Sequence, residues 1–465
     1  MTASQRPGPG HPDWLRAEER RLLAFARRSV VADGFGWLDA RGRVEEDRPT
    51  ATWITARMTH VFALAHLRGE EEADRLVDHG LAALAGPLRD AARGGWYEEV
   101  PDRGGQRERS REGYADAADA AGPGRAAEGR GDPAWVGDLL GPGDPAASGA
   151  PGAVAADGQR RSAYTHAFVV LAAASAALAG RPGARDLLDE ALRVVDAHFW
   201  EESARAVRES WDGAWTRPED YRGANSNMHC VEAFLAAADA TGDRRWTLRA
   251  LAVAERLVHG VAADHDWRLP EHFTSDWRAL PDHNRDRPDD PFRPFGSTTG
   301  HLLEWARLLV HLELSLRDAG EDVPDWLRSD AVRLFDHAVR RGWAADGADG
   351  FAYTLDWADA PVVRERMHWV VAEATMTAWA LGALTGDGGY TRHYDSWWDY
   401  ADRHHLDREH GSWHHELDPA SRPSGTVWPG KPDVYHAYQA TVLPQIGLAG
   451  SLAAAAAGDR AAWTP

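Results

Sequence analysis

The sequence predicts an all-α protein whose helices form an (α/α)6 barrel, a toroid of six helical hairpins with six inner helices inside six outer ones. Three observations predict this fold. A pattern of helix, short aromatic turn and second helix recurs six times along the chain, alternate helices differ in how apolar they are, and polar residues open every apolar helix. A pattern that recurs at a fixed period indicates one supersecondary unit packed against copies of itself.

The turns between the repeats are rich in glycine and aromatic residues. Apart from one longer interval they recur about every 60–85 residues, which is the length of two helices with their connections. Because they are short, we expect some of them to pair as small β-hairpins. The six turns are Gly34-Phe35-Gly36-Trp37, Gly94-Gly95-Trp96-Tyr97, Phe199-Trp200-Glu201, Asp266-Trp267-Arg268, Gly350-Phe351-Ala352-Tyr353 and Gly411-Ser412-Trp413-His414.

Apolar residues at the helical spacing of three and four predict twelve helices between these turns. One set carries many charges, as from Glu18 to Arg28, and is expected to form the outer ring; the other is almost wholly apolar, as from Ala163 to Ala179, and is expected to form the inner ring. The outer helices are predicted at 14–31, 70–91, 184–199, 243–260, 325–342 and 389–404. The inner helices are predicted at 52–68, 163–180, 226–241, 298–318, 366–385 and 434–457.

One stretch, residues 103–160, lacks this periodicity and is rich in Gly, Ala, Pro, Asp and Arg. We interpret it as an insertion between the third and fourth helices, either a tolerated surface segment or a lid over the active site. The whole chain, residues 1–465, is otherwise expected to form a single catalytic domain, because a barrel of six hairpins can keep so many residues around one core.

Composition narrows the function and the compartment. The formal net charge of −20 disfavours nucleic acid as a partner, because phosphate binding needs a basic surface. With one cysteine, Cys230, no disulfide framework can form, which favours a reducing compartment. Neither a signal peptide nor an apolar run long enough to cross a membrane is visible, so we expect a soluble cytoplasmic protein. The oligomeric state stays open.

The start of each predicted inner helix carries polar and aromatic residues. Inner helices of such a barrel run parallel, so their N-termini meet at one rim and create a partly positive field there. Tryptophans near this rim, Trp53, Trp305, Trp369 and Trp428, are candidates for contacts with sugar rings. The polar set is Arg57, Tyr164, His166, Asn225, His229, Glu232, His301, Glu304, His368, Glu373, Tyr435 and His436.

Each of these residues also has a purely structural explanation. A single histidine at the start of an apolar helix commonly caps that helix or packs in the core. Glutamates three residues after a histidine, as in His229/Glu232 and His301/Glu304, commonly form solvated pairs. The functional interpretation rests on the number of such residues that meet at one rim of otherwise apolar helices, where buried ionisable groups need partners.

Several histidines with an arginine and carboxylates suit proton transfer beside a carbonyl group, because imidazole both accepts and returns protons near neutral pH. Glycoside hydrolysis would instead favour two facing carboxylates. A metal site is less favoured: the sequence lacks the H-E-x-x-H motif, and no cofactor is expected.

Six segments resemble the N-acylglucosamine 2-epimerase superfamily. They are RMTHVF (57–62), YTHAF (164–168), NSNMHCVEAF (225–234), PFGSTTGHLLEWARL (294–308), MHWVVAEA (367–374) and GKPDVYHAYQA (430–440). Within it, MHWVVAEA and GKPDVYH look most like the branch of the D-mannose and sulfoquinovose isomerases. The resemblance implies an (α/α)6 barrel and metal-free isomerisation or 2-epimerisation of a monosaccharide through a cis-enediol(ate).

The resemblance also implies roles for individual residues. His436 would be the base that moves a proton between C2 and C1, while His301, supported by Glu304, would open the sugar ring and move protons on the oxygens. His229 would be a third essential imidazole and Arg57 would polarise the carbonyl oxygen. The residues expected to bind hydroxyls or shape the pocket are Asn225, Tyr164, Trp369, Glu373 and Glu232.

The expected reaction is the interconversion of D-mannose and D-fructose, with D-lyxose as a further substrate. Sulfoquinovose isomerisation and sugar 2-epimerisation are alternatives within the same chemistry. Two alternatives come from other classes: an (α/α)6 glycoside hydrolase or lyase that uses Glu232, Glu304 or Glu373 as its acid, and a sugar-binding module without turnover.

Overall fold

The computed structural model of the chain describes residues 8–101 and 160–458, and most of the regular structure in them is helical. Helices alternate between an outer and an inner ring, as the sequence predicts. In chain order the helices are α1 (Pro12–Ala26), α2 (Thr52–Leu67), α3 (Ala73–Ala85), α4 (Ala163–Leu178), α5 (Ala184–Val194), α6 (Ala224–Thr241), α7 (Arg245–Ala254), α8 (Thr299–Asp318), α9 (Trp326–Gly342), α10 (His368–Thr385), α11 (Gly388–Tyr400), α12 (Tyr435–Ile446) and α13 (Leu452–Ala457).

The even-numbered helices α2 to α12 form the inner ring. Each packs against its two inner neighbours, and the ring closes where α12 contacts α2. These helices are apolar around most of their circumference and are buried along most of their length, because they are surrounded by protein on every side. Each outer helix packs mainly on one inner helix, α1 on α12 and the others on the inner helix that precedes them. The (α/α)6 barrel predicted from the sequence is confirmed.

Short antiparallel strands connect neighbouring hairpins at the N-terminal rim of the inner ring. The strand before each of five inner helices pairs with a strand from the turn after the following outer helix, giving the pairs β3–β4, β5–β8, β9–β10, β11–β12 and β13–β14. The strands are β1 (Val30–Val31), β2 (Gly34–Phe35), β3 (Thr50–Ala51), β4 (Glu99–Val100), β5 (Arg161–Ser162), β6 (Trp200–Glu201), β7 (Ala206–Val207), β8 (Ser210–Trp211), β9 (Arg222–Gly223), β10 (His272–Phe273), β11 (Ser297–Thr298), β12 (Thr354–Leu355), β13 (Arg366–Met367), β14 (Glu416–Leu417) and β15 (Pro423–Ser424).

Two of the aromatic turns form local hairpins, β1 with β2 and β6 with β7, as expected. The first N–H of five inner helices donates to a carbonyl in the turn that supplies the pairing strand, which satisfies a donor that a helix start leaves free. The accepting carbonyls belong to Glu98, Glu209, Glu271, Tyr353 and His415. This repeated contact fixes the side chains of the turns relative to the first turn of each inner helix.

The predicted inner helix at 434–457 is wrong as a single element, because it divides into α12 and α13. Pro444 lies inside α12, lacks an N–H, and weakens the helix near its end. Gly447 follows with a φ of 82°, a conformation that favours glycine and that ends the helix. The short α13 then contacts α2, α4 and α6, so it covers the C-terminal end of the inner ring.

Some outer helices differ from their predicted bounds. The helix expected at 14–31 ends at Ala26 and continues as a 3-10 turn, Arg27–Ser29, into the first hairpin. The helix expected at 70–91 ends at Ala85, because Pro87 follows closely and cannot continue it. Three others end in π-helical turns, Val195–Phe199, Glu255–Ala262 and Ala401–His405.

The predicted insertion, residues 103–160, lies outside the described residues except for residue 160. Within the ranges 8–101 and 160–458, no helix has both the length and the apolar character to span a bilayer. Cys230 lies buried in α6 as a free thiol.

Candidate active site

A cavity of about 700 Å³ opens at the N-terminal rim of the inner ring. Most of its polar lining comes from the first two turns of the inner helices, and every inner helix contributes. The lining includes Arg57 from α2, Tyr164 from α4, Asn225 and His229 from α6, His301 and Glu304 from α8, His368 and Trp369 from α10, and His436 from α12. Residues from six separate helices along the chain therefore meet around one space.

His436 lines this cavity, and its Nδ1 contacts a carboxylate. Its Nδ1 lies 2.8 Å from Glu373 Oε1, and Arg307 binds the same carboxylate at 2.8 and 3.2 Å. Burial raises the pKa of Glu373, but Arg307 and His436 outweigh burial and keep it below its ordinary value. Because a carboxylate only accepts hydrogen bonds, Nδ1 carries the proton and Nε2 keeps its lone pair.

Burial lowers the pKa of His436 below the ordinary value, although the Glu373 carboxylate opposes that shift. The imidazole is therefore neutral at neutral pH. A neutral ring with Nδ1 protonated and Nε2 unprotonated is the form that can act as a general base from Nε2.

His301 has the same arrangement with a different carboxylate from the one the sequence predicts. Its Nδ1 lies 2.9 Å from Glu271 Oε1, and not on Glu304, so the predicted His301/Glu304 pair is wrong. Glu271 comes from the connection between α7 and α8, directly before β10. A spacing of three residues can indicate only a partner on the same helix. The repeated turns instead place a carboxylate from outside α8 against the imidazole of His301.

Trp369 contacts both of these imidazoles. Its ring centroid is 5.3 Å from that of His301 and 5.6 Å from that of His436, with interplanar angles of 37° in both cases. The two histidines and the indole thus line one stretch of the cavity wall. A flat apolar surface in contact with two proton-transfer groups suits an open-chain monosaccharide, which presents C–H groups along its carbon chain.

Three buried carboxylates, those of Glu232, Glu304 and Glu373, surround one guanidinium, that of Arg307. Besides its contact with Glu373, Arg307 Nη2 lies 3.7 Å from Glu304 Oε1, and its charge also acts on Glu232. Burial raises the pKa of Glu304 well above its ordinary value, and the charge of Glu373 adds to that effect. Glu304 is therefore the carboxyl group of this cluster that most readily holds a proton.

His229 is the third imidazole of the cavity. Its Nδ1 lies 3.7 Å from both Glu232 Oε2 and Glu304 Oε1. Burial lowers its pKa to about 4, so the ring is neutral at neutral pH. Burial alone would raise the pKa of Glu232, but His229 and Arg307 lower it; this carboxylate also accepts the hydroxyl hydrogen of Tyr435.

Arg57 is fixed at the cavity wall by two polar partners. Its Nη1 lies 3.3 Å from Asp433 Oδ2, and its Nη2 donates to the Tyr164 hydroxyl at 2.8 Å. The guanidinium also lies over the rings of Trp53 and Phe168, at 5.0 and 4.3 Å from their centroids. Burial lowers and these partners raise the pKa of Arg57, with a net rise, so it is a permanent positive charge in the cavity.

Several residues singled out from the sequence do not line the cavity. Trp305 is wholly buried in the core, so the expectation that it contacts sugar is wrong: it follows Glu304 directly, and one helical residue turns a side chain by about 100° away from the cavity. His166 accepts the N–H of Trp96 at 3.1 Å and lies 2.7 Å from the carbonyl of Ser162, which makes it a structural residue.

Glu232, Glu373 and Tyr435 lie one layer behind the lining side chains. The first two were expected to bind hydroxyls or shape the pocket, and in the structure they contact the imidazoles of His229 and His436. Asn225 and Tyr164 line the cavity, as do Trp53, Trp369 and Trp428.

Sequence reasoning missed Glu271, Asp433 and Arg307. Arg307 follows Glu304 by three residues in the segment GHLLEWARL, and Asp433 precedes Tyr435 by two. Glu271 has a clearer signal, because a glutamate occupies the equivalent place in three repeats, Glu98, Glu209 and Glu271. In each case its side chain reaches the first turn of the next inner helix.

Among the residues that the structure describes, two groups of three residues lie close enough together to hold a metal ion. They are His229, Glu232 and Glu304, and Glu304, Glu373 and His436, with ligand atoms within 4.8 Å of one another. Arg307 already supplies a positive charge to both groups. Chemically, the same atoms can therefore serve either as metal ligands or as a network that shares protons.

A family model for N-acylglucosamine 2-epimerase (GlcNAc 2-epimerase) matches residues 34–122 and 148–440. The chain belongs to this family. The resemblance stated from the sequence motifs is thereby confirmed, and the two matched segments leave out residues 123–147, which fall inside the predicted insertion.

Relatives and a solved structure add to this assignment. A D-mannose isomerase from Thermobifida fusca is 52% identical over 449 residues, covering 96% of this chain and 97% of that protein. A D-mannose isomerase from Pseudomonas cannabina pv. alisalensis is 45% identical over 450 residues, covering 97% and 96%. A crystal structure of a D-mannose isomerase superposes with a TM-score of 0.75 at 23% identity, covering 94% of this chain and 98% of that one, which shows the shared fold.

Proposed function

We propose that this protein is an aldose–ketose isomerase that interconverts D-mannose and D-fructose through a cis-enediol(ate). The observation that carries the proposal is the pair of imidazoles, His301 and His436, each held by a carboxylate at Nδ1 and each beside Trp369. Relatives that carry the name D-mannose isomerase match nearly the whole chain at 52% and 45% identity, which supports this choice of sugar.

In the proposed reaction His436 Nε2 removes the proton from C2 of the open-chain aldose. The electron pair of that C–H bond forms the C1–C2 double bond, and the carbonyl oxygen becomes an enediolate oxygen. The imidazolium then returns the proton to C1, which leaves the carbonyl group at C2. Glu373 stabilises the transient imidazolium, because its carboxylate already accepts the Nδ1–H and stays charged.

Arg57 stabilises the negative oxygen of the enediolate. It is a fixed cation in a largely buried site, where a preorganised charge contributes more than it does in water. His301 opens the pyranose ring and moves protons between the oxygens, with Glu271 holding its ring as Glu373 holds that of His436. His229, Asn225 and Tyr164 bind the sugar hydroxyls.

The proposed chemistry uses no metal and no cofactor, since Arg57 and the imidazoles supply the positive charge and the proton transfer. We further propose that the protein works in the cytoplasm, which its single cysteine favours. The chain is proposed to form one catalytic domain, with 103–160 inserted in it; the gap in the family match at 123–147 supports this.

A 2-epimerase is the second candidate, because the family to which the chain belongs is named for that reaction. Both reactions share the removal of the C2 proton and differ in where it returns. Glycoside hydrolysis is less well supported, since the carboxylates that line the cavity are Glu304 and Asp433, and Asp433 forms an ion pair with Arg57.

The test is an incubation with D-mannose in D2O that contains EDTA, followed by NMR. The proposal expects D-fructose with deuterium at C1, and a rate that EDTA does not change. Glucose as the main product would favour the epimerase. A reaction that stops with EDTA and recovers with one divalent metal would favour the metal-binding use of the two groups of three residues, and the absence of any product would contradict the proposal.

A further inference from the structure

The segment before α8 reaches across the mouth of the cavity. This segment, residues 281–296, ends directly before β11 and the N-terminus of α8, which lies opposite α2 in the ring. Phe292 at its tip nevertheless contacts Tyr164, on α4, and Trp428, before α12. Because α4 and α12 are the two neighbours of α2, the segment spans the cavity from one side to the other.

Phe292 forms an aromatic bridge with these two residues. Its ring centroid lies 6.2 Å from that of Tyr164 and 5.2 Å from that of Trp428, with interplanar angles of 82° and 78°. Edge-to-face rings at these separations are in contact, so no pyranose can pass between them. All three rings line the cavity.

The exposure of Phe292 is unusual for this protein. Phe292 is 46% exposed, and Leu248, at 37%, is the other exposed large apolar side chain among the described residues. The neighbours of Phe292 in the chain are, in addition, fixed in place.

Asp290, Arg293 and two prolines hold the backbone of the bridge. Asp290 Oδ1 accepts the N–H of Phe292 at 3.1 Å and that of Arg293 at 2.9 Å. Arg293 is buried and binds both oxygens of Glu219 at 2.8 and 3.1 Å, and its guanidinium lies 3.9 Å from the ring centroid of Tyr221. Pro291 and Pro294 restrict the backbone on either side.

We infer that Phe292 determines substrate length: the bridge that it forms with Tyr164 and Trp428 restricts the cavity to free monosaccharides and excludes sugars that carry a second residue at O4. This inference rests on the proposed function for the identity of the sugar. The geometric part, a ring held across the mouth, stands on the contacts described above.

The test compares D-mannose with 4-O-β-D-mannopyranosyl-D-mannose in the wild type and in Phe292→Ala. The ratio of kcat/KM for the monosaccharide to that for the disaccharide is expected to fall at least about tenfold in Phe292→Ala, because the bridge is gone. Phe292→Tyr keeps the ring and is expected to keep the ratio. Leu248→Ala, which removes the other exposed apolar side chain, is the matched control and is expected to leave the ratio unchanged.

A binding measurement separates this inference from the proposed function. Calorimetry with D-mannitol and with 4-O-β-D-mannopyranosyl-D-mannitol tests exclusion without turnover, and Phe292→Ala is expected to bind the longer alcohol at least about tenfold more tightly than the wild type does. If the wild type converts no mannose, the proposed function fails, while the binding arm still decides on the bridge. Equal affinity of wild type and Phe292→Ala for the longer alcohol, with both proteins folded, would overturn the inference.

Discussion

Glu271 Oε1 lies 2.9 Å from Nδ1 of His301, a residue 30 positions later in the chain. This contact arises from the repeat itself. In three hairpins a glutamate in the turn uses its carbonyl to accept the first N–H of one inner helix and its side chain to reach the start of the next. In two of them the side chain meets a hydroxyl, and in the third it meets the imidazole at the cavity.

Replacement of Glu271 tests whether this contact matters for catalysis. Glu271→Gln is expected to lower kcat by about 100-fold, because an amide at that position can donate to Nδ1 and favour the wrong tautomer of His301. The matched control is Glu98→Gln, the equivalent residue of another repeat, which binds Ser162 and Thr165 and no histidine. Steady-state kinetics would contradict the role of Glu271 if both variants lost activity equally.

Arg57 is expected to act mainly in the transition state. Arg57→Ala should lower kcat by about 100- to 1000-fold with little change in KM, because the enediolate oxygen gains full charge only after the substrate has bound. Arg57→Lys should recover part of kcat, since it restores the charge next to Asp433 but not the second contact with Tyr164. A rise in KM at unchanged kcat would show that Arg57 only binds the ground state.

The pH dependence of the reaction follows from the burial of His436. Burial lowers the pKa of this imidazole, so it stays neutral and active at a lower pH than a free imidazole would. The acid limb of kcat/KM for D-mannose is therefore expected below about pH 6.5, the ordinary value for histidine. Kinetics between about pH 4.5 and 8 check this, and an acid limb above pH 7 would contradict it.

Buried histidines are also expected to make the fold sensitive to acid. Burial lowers the pKa of His60 to about 4 and that of His166 to about 3. Such a group binds a proton in the unfolded chain below about pH 6.5 but not in the folded one. The free energy of unfolding therefore decreases as the pH is lowered, by up to about 1.4 kcal/mol per pH unit for each histidine.

Urea unfolding at several pH values measures this slope. The free energy of unfolding should decrease from about pH 6.5 towards pH 4. His166→Gln removes one titrating group that does not line the cavity, so it should reduce the slope even if it also changes the stability at pH 7. An unchanged slope in this variant would show that His166 is not neutral in the folded protein.

The fold was predictable because a barrel of six repeats shows the same sequence pattern six times along the chain. The apolar character of segments such as Ala163–Leu178 identified the inner ring, and the polar residues at their starts identified the rim. The end of the last inner helix was not predictable from apolar periodicity alone, because the apolar pattern continues past Pro444 and Gly447, where the backbone turns.

The site was predictable where its residues sit on the inner helices, and not where partners come from turns. His301, His436 and the Glu373 that binds His436 could be found by their position on inner helices, but the carboxylate that binds His301 comes from a turn 30 residues earlier in the chain. Spacing within one helix therefore suggested Glu304 as the partner of His301, whereas the connection between α7 and α8 brings Glu271 to this imidazole. Trp305 was misplaced for a related reason: a shift of one residue along a helix moves a side chain from the cavity to the core.

The most direct test of the proposed mechanism follows the hydrogen at C2. D-Mannose labelled with deuterium at C2 is incubated in H2O with the wild type and with His436→Ala, and the label is measured by NMR at C1 of D-fructose and in the solvent. The account predicts a slowed reaction with part of the label lost to solvent in the wild type, and neither product nor label release in folded His436→Ala. Complete transfer of deuterium to C1 without exchange, or undiminished label release in His436→Ala, would contradict proton transfer by this imidazole.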